Sequence, residues 1–171
     1  MFAALRRLRE DREGSVLVEG TILVPVLVTL FLGVFEFSWY FFSQQLVEMG
    51  VRDAARYLAR VELTGTNTPC TQTDPDTGNL YEDEAANIAA TGQRDSGGTA
   101  RVKGWTAAKV AITCLTSPAL GGGSVYADGQ SSMTIIYVTT TFADPTLGLF
   151  PALGLTTPSL SFTHQERYIG G

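Results

Sequence analysis

A glutamate lies inside an apolar run near the N-terminus of this 171-residue chain. Glu19 is the fifth residue of the stretch 15–42, SVLVEGTILVPVLVTLFLGVFEFSWYFF, which contains no basic residue. A carboxylate at membrane depth costs about 2.5–3.5 kcal/mol on insertion scales, so it needs a partner or access to water. Two interpretations follow. Glu19 either forms an ion pair within or between chains, or it lies near enough to the interface to reach water.

Cys70 and Cys114 are the two cysteines of the chain, and both follow the apolar run. If the run crosses a membrane and this part lies outside the cytoplasm, the simplest expectation is one disulfide between them. Such a bond would stabilise the fold by about 4 kcal/mol on the loop-entropy model. Two buried free thiols are the alternative. A metal site is not expected, because the chain has no CxxC motif and its only histidine is His164.

Residues for catalysis are sparse. His164 falls on the apolar side of a predicted strand, which favours a partly buried structural histidine. The glycine-rich segment 121–129, GGGSVYADG, lacks a strand–helix phosphate fingerprint and is predicted to be a loop. The acidic run 82–84 is expected to cap a helix. We therefore predict no enzymatic activity and no cofactor; a membrane-tethered hydrolase with a polar cleft around His164 is the rival hypothesis.

The apolar run itself predicts a membrane-spanning helix. Residues 15–42 would form a helix about 42 Å long, and about 20 apolar residues suffice to cross a bilayer. The run is longer than the apolar region of a removable secretory signal. Residues 1–14 contain four arginines, which places the N-terminus in the cytoplasm and the remainder outside. Without these residues the formal charge is −6 rather than −5, which disfavours nucleic acid as a partner.

Three residues near the far end of the span are assigned to the membrane boundary. Trp39 and Tyr40 fit the aromatic belt that forms at membrane–water interfaces. Glu36 lies about 100° around the helix axis from Glu19, so the two carboxylates do not share a face. We therefore expect Glu36 to lie at the outer boundary rather than to make a functional contact.

The pattern beyond the span predicts an α+β fold. Apolar residues recur at helical spacing from Leu46 to Leu58, so the helix is expected to continue over residues 15–62 with one apolar stripe. A second helix is predicted near 82–93, and strands at 109–116, 132–142 and 159–168. We predict that the stripe packs on a small antiparallel sheet of three or four strands. The chain then divides into 1–14, 15–62 and an outer domain at 63–171.

This layout resembles the TadE/TadG-like pseudopilins of tight-adherence (Tad) pilus systems, whose fold is pilin-like. The resemblance covers residues 6–62 well and 130–168 loosely. The features that carry it are a basic leader before a glycine, a glutamate early in the apolar run, a proline within it, a Glu-Phe pair and an alanine-rich segment with arginine: Gly14, Val18-Glu19, Pro25, Glu36-Phe37 and Ala54-Ala55-Arg56.

The resemblance implies a class III signal peptide that a prepilin peptidase cuts between Gly14 and Ser15. Glu19 would then pair with the new Ser15 amine of its own or a neighbouring chain and set the register between subunits. The implied function is that of a minor pilin or pseudopilin in pilus assembly and adhesion. Its partners would be the peptidase, other pilin-like subunits, Tad inner-membrane components and membrane lipid.

The implied location is the bacterial inner membrane, with one span and the outer domain in the periplasm or outside the cell. An uncleaved single-pass envelope scaffold is the alternative.

Overall fold

The computed structural model describes residues 13–118 and 132–170, which fall into two compact units. The first unit ends at Tyr40 and the second begins at Phe41. Helix α1, Glu13–Leu58, contributes to both. The helix predicted over 15–62 therefore exists, but it begins two residues earlier and ends four residues earlier. The basic leader up to residue 12 and the glycine-rich loop at 121–129 lie outside the described residues.

The first unit consists of the N-terminal part of α1. Its large apolar side chains from Val16 to Trp39 are 43–74% exposed and occur on every face of the helix. Within the described residues, α1 is the one helix long and apolar enough to cross a membrane. A helix that is apolar all round needs an apolar environment, so the single N-terminal helix fits a membrane anchor.

Three hydroxyl groups in the described part of this apolar segment are satisfied within the helix. Thr21 donates to the carbonyl of Leu17 at 2.7 Å, and Thr29 donates to the carbonyl of Pro25 at 2.9 Å. Ser38 donates in the same way to Val34. Because each hydroxyl finds an acceptor one turn earlier, these side chains need no water.

The second unit contains an antiparallel sheet with strand order β1-β2-β3: β1 is Val110–Pro118, β2 is Ser132–Ala143 and β3 is Ser159–Arg167. Ile112 pairs with Val138, which pairs in turn with His164. This three-stranded sheet confirms the predicted α+β layout, with strand bounds within two residues of those expected from the alternation of side chains.

The core of the second unit forms around the C-terminal half of α1. Five residues of the predicted stripe are buried, at no more than 1% exposure: Val47, Val51, Ala54, Ala55 and Leu58. Trp105 is fully buried, stacks on Phe142 at 5.9 Å between ring centroids, and donates its indole N–H to Thr140 at 3.0 Å. The amphipathic half of the helix therefore supplies one wall of the core, as predicted.

Helix α2, Tyr81–Thr91, packs closely against α1. A Cβ atom built on Gly50 of α1 would lie 2.3 Å from the carbonyl oxygen of Ala89 and 2.6 Å from Cη2 of Trp105. Only a residue without a side chain fits this crossing. Helix α2 ends at Gly92, whose φ of 80° is favourable for glycine and awkward for other residues. A short helix, α3, covers Leu149–Ala152.

The C-terminal half of α1 runs beside the outer edge of β3. The backbone N–H of Tyr168, just after β3, donates to the carbonyl of Thr134 in β2. In this register the backbone groups of even-numbered β3 residues point toward β2, and those of odd-numbered residues point away from it. Gln44 of α1 donates to the outward carbonyl of Ser161 at 3.4 Å. The backbone N–H of Ile169 donates to the carbonyl of Ala59 at 3.0 Å.

These contacts also explain where α1 ends. The carbonyl of Ala59 accepts a hydrogen bond from Ile169, and the Tyr168 hydroxyl donates to the carbonyl of Val61 at 2.9 Å. Carbonyl groups at a helix end need donor partners, and here the segment after β3 provides them. The chain therefore leaves the helix four residues before the position expected from its apolar pattern.

Candidate functional site

Gly14 and Ser15 lie in the first turn of α1, and Glu19 follows one turn later. The Glu19 side chain is exposed, and no residue in 13–118 or 132–170 forms an ion pair with it. The structure thus places the predicted processing site and the predicted register residue on one short helical segment. Cleavage after Gly14 and pairing of Glu19 with an amine stay predictions.

The predicted boundary residues are among the last five residues of the first unit, which ends at Tyr40. Trp39 is half-exposed, while Glu36 and Tyr40 are partly covered. All three take part in interactions with other residues of the chain. Their position near the end of the exposed apolar segment agrees with a membrane boundary, which stays a prediction.

A disulfide joins Cys70 and Cys114, with their Cα atoms 5.9 Å apart. It ties the loop after α1 to the middle of β1, across a sequence separation of 44 residues. The bond predicted from the two cysteines is present, and the alternative of two free thiols was wrong. A bond of this kind fits an outer domain exposed to an oxidising compartment.

His164 lies on the partly buried side of β3, which is the apolar side on which the sequence predicted it. Its Nε2 atom lies 3.1 Å from Oε2 of Glu166, two residues along the same strand. On the same face, Phe162 lies beneath the guanidinium group of Arg52 at 5.9 Å. His164 thus lies on the partly buried face of the sheet, and its purely structural role stays a prediction.

A cleft that the sequence did not predict lies between the end of α1, the loop after it and the start of α2. Its volume is about 470 Å³. Charged side chains of both signs line it, three arginines and three aspartates: Arg56, Arg60, Arg94, Asp53, Asp74 and Asp76. We call this feature the outer cleft.

A buried ionic network forms the floor of the outer cleft. Glu84 is 1% exposed and accepts hydrogen bonds from the hydroxyl groups of Tyr57 and Thr77. Arg94 pairs with both Glu84, at 3.1 Å, and Asp74. The network joins α1, the disulfide-tied loop and α2. Removal of one partner would leave a buried charge without compensation, so the loss of any of these groups is expected to destabilise this part of the fold.

Two tyrosines form a wall of the outer cleft. The rings of Tyr57 and Tyr81 meet edge to face with centroids 6.1 Å apart, and the guanidinium group of Arg94 lies 5.7 Å from the Tyr57 centroid. Burial, and then the hydrogen bond to Glu84, raises the pKa of Tyr57 well above its usual range. Burial also raises the pKa of Tyr81. Both side chains are therefore neutral hydrogen-bond donors at physiological pH.

The prediction for the acidic run at the start of α2 requires a correction. Residues 82–84 do lie in the first turn of α2, where acids suit the helix dipole, but the helix has no side-chain cap. Glu84 is a buried member of the ionic network rather than a solvated capping residue. The signal available in the sequence was the three-residue spacing from Tyr81 to Glu84, which puts Glu84 on the buried face that Tyr81, Ala85 and Ala89 share.

Residues 14–56 match the family model described as TadE-like protein. The match spans nearly the whole of α1 and none of the sheet, and it confirms the resemblance seen in the sequence over these residues. It associates the segment with the TadE-like family, a family of pilus components rather than a known enzyme family. No curated protein and no solved structure matches the chain.

Proposed function

We propose that this chain is a minor pilin or pseudopilin of a Tad-type pilus, matured by a prepilin peptidase that cuts after Gly14. The observation that carries the proposal is the TadE-like match, which begins at Gly14 and follows the helix that is apolar on every face. A glycine before the cut leaves the peptidase active site unobstructed. The chain would be a substrate and a structural subunit rather than a catalyst.

In this proposal Glu19 has an electrostatic role. Cleavage creates an amine on Ser15, one helical turn before Glu19, where the structure describes no other ionic partner. A carboxylate in lipid is expensive unless a cation neutralises it. Pairing with the amine of a neighbouring subunit would neutralise both groups and fix the axial register of two helices.

The location follows from the same elements. The span would cross the bacterial inner membrane once, with the arginine-rich N-terminus in the cytoplasm and the disulfide-tied domain in the periplasm or outside the cell. Glu36, Trp39 and Tyr40 would lie at the outer boundary. Partners would be the peptidase, other pilin-like subunits, Tad inner-membrane components and lipid.

The deciding measurement is the N-terminal mass of the protein from membranes, with and without a prepilin peptidase. We expect a start at Ser15 only when the peptidase is present, and no such product from Gly14→Leu. Gly20→Ala is the matched control, because a Cβ at Gly20 meets no atom within 4 Å. An intact leader in both preparations would reject the proposal and favour the uncleaved envelope scaffold.

The role of Glu19 has a separate test in the cleaved protein. Glu19→Gln should abolish co-purification with pilin-like subunits from membranes, whereas Glu36→Gln should leave it unchanged. Equal effects of the two substitutions would remove the assigned role of Glu19 while leaving the processing result intact.

A further inference from the structure

The charges of the outer cleft do not all pair with one another. Arg94 is held by Asp74 and Glu84, and Asp53 pairs with Arg101 at 2.8 Å. Arg56 and Arg60 also line the cleft, yet neither guanidinium group forms an ion pair with any residue in the described part of the chain.

Helix geometry places the two free guanidinium groups on the same side. Arg56 lies in the last turn of α1, and Arg60 follows four residues later, just beyond the end of the helix. The negative end of the helix dipole accounts for one cation in the last turn. It does not require a second one lining the same cavity. Two adjacent guanidinium groups are well suited to a carboxylate, which accepts hydrogen bonds through both oxygens.

The rest of the lining restricts the class of ligand. Asp76 also lines the cleft and forms no ion pair within the described residues. Asp53 and Asp74 are already neutralised by Arg101 and Arg94, so Asp76 is the carboxylate that opposes a multiply charged anion and makes phosphate and nucleic acid a poorer fit. A ligand that carries one carboxylate and one cationic group satisfies both Asp76 and the two arginines.

The size and wall of the cleft favour a peptide. A volume of about 470 Å³ is within the usual range for a binding pocket and accommodates a few side chains. Tyr81 and Val61 form an apolar wall, and the network around Glu84 holds that wall in place. We infer that the outer cleft binds a mixed-charge peptide segment of a partner protein, with the partner's carboxylate on Arg56 and Arg60 and its cationic group near Asp76.

This binding belongs to the second unit and does not depend on removal of the leader, so its test is separate from the mass measurement above. The probe is acetyl-Gly-Glu-Ala-Lys-Gly-amide, added to the full chain in uncharged detergent micelles and followed by saturation-transfer NMR. The comparison probes are the same peptide with Gln in place of Glu, the same peptide with Gln in place of Lys, and inorganic phosphate.

We expect saturable binding of the Glu/Lys peptide and a loss of about tenfold in affinity on replacing its Glu, the effect of removing a charge-assisted hydrogen bond. Arg56→Gln with Arg60→Gln should produce the same loss. Asp76→Asn should remove only the preference for the peptide lysine. Arg52→Gln is the matched control, because Arg52 pairs with Glu48 on α1 and does not line the cleft.

Each alternative result overturns the inference. Equal binding of the Glu and Gln peptides, or tighter binding of phosphate, would exclude recognition of a mixed-charge peptide. Unchanged binding by the double arginine variant would place the peptide elsewhere. Absence of saturable binding would mean that the cleft is not a peptide site. Thermal unfolding of every variant, measured in parallel, shows that the domain remains folded, since Arg56, Arg60 and Asp76 are exposed.

Discussion

Replacement of Gly50 by alanine tests the closest approach in the second unit. In an unobstructed helix this change stabilises by about 1 kcal/mol, because alanine has the higher helix propensity. Here the new Cβ would lie 2.3 Å from the Ala89 carbonyl oxygen and 2.6 Å from Trp105. The first atom belongs to the backbone of α2 and cannot rotate away. Overpacking costs about 1–3 kcal/mol in ordinary cores. Taking the upper value and subtracting the propensity gain of about 1 kcal/mol, we expect a net loss of about 2 kcal/mol.

The assay is thermal unfolding of the full chain in uncharged detergent, followed by fluorescence of the buried Trp105 in a Trp39→Phe background. A loss of about 2 kcal/mol corresponds to a fall in Tm of about 4–8 °C for a chain of this size. Gly33→Ala in the same helix is the matched control, because its Cβ meets nothing within 4 Å. If Gly50→Ala melts at or above the wild-type temperature, α1 and α2 do not cross as described.

Three further predictions concern the second unit. The raised pKa of Tyr57 keeps its hydroxyl protonated in the folded protein. The contribution of this hydroxyl to stability is therefore complete below pH 10 and is lost as the pH rises further. Tyr57→Phe should reduce the loss of stability that the protein shows in alkaline denaturation. Thr140→Val leaves the Trp105 indole N–H without its acceptor and should cost about 1–3 kcal/mol in urea unfolding. Joint replacement of Cys70 and Cys114 by serine should lower the unfolding free energy by about 4 kcal/mol, and an unchanged urea midpoint would contradict that value.

The elements of this fold were accessible from the sequence because their patterns are periodic. The stripe from Leu46 to Leu58 repeats at helical spacing, and β2 is dense in β-branched residues, so local propensity and burial favour the same structure. The disulfide was predictable because only two cysteines are present and both follow the span. Each of these predictions can be made from one segment or one residue type, without knowing how the rest of the chain packs.

The outer cleft was not accessible in this way. It depends on Glu84, Arg94 and Tyr57, which are far apart in the chain and carry groups that are usually solvated. Their burial is a property of three segments packed together, and local patterns contain no information on it. The crossing at Gly50 is similar, since a glycine in a helix signals close approach only when the opposing backbone is known.

The position of α1 beside β3 has a consequence for solubility. An unpaired strand edge is a template onto which other chains can add, and this is a common route to fibrillar aggregates. At the outer edge of β3, Gln44 of α1 donates to the carbonyl of Ser161, and the carbonyl of Ala59, the residue after α1, holds the backbone N–H of Ile169 just beyond the strand. A foreign strand would otherwise find these backbone groups available. Loosening this part of the helix would therefore expose a surface able to recruit misfolded copies, so α1 protects the sheet from uncontrolled polymerisation as well as completing its core.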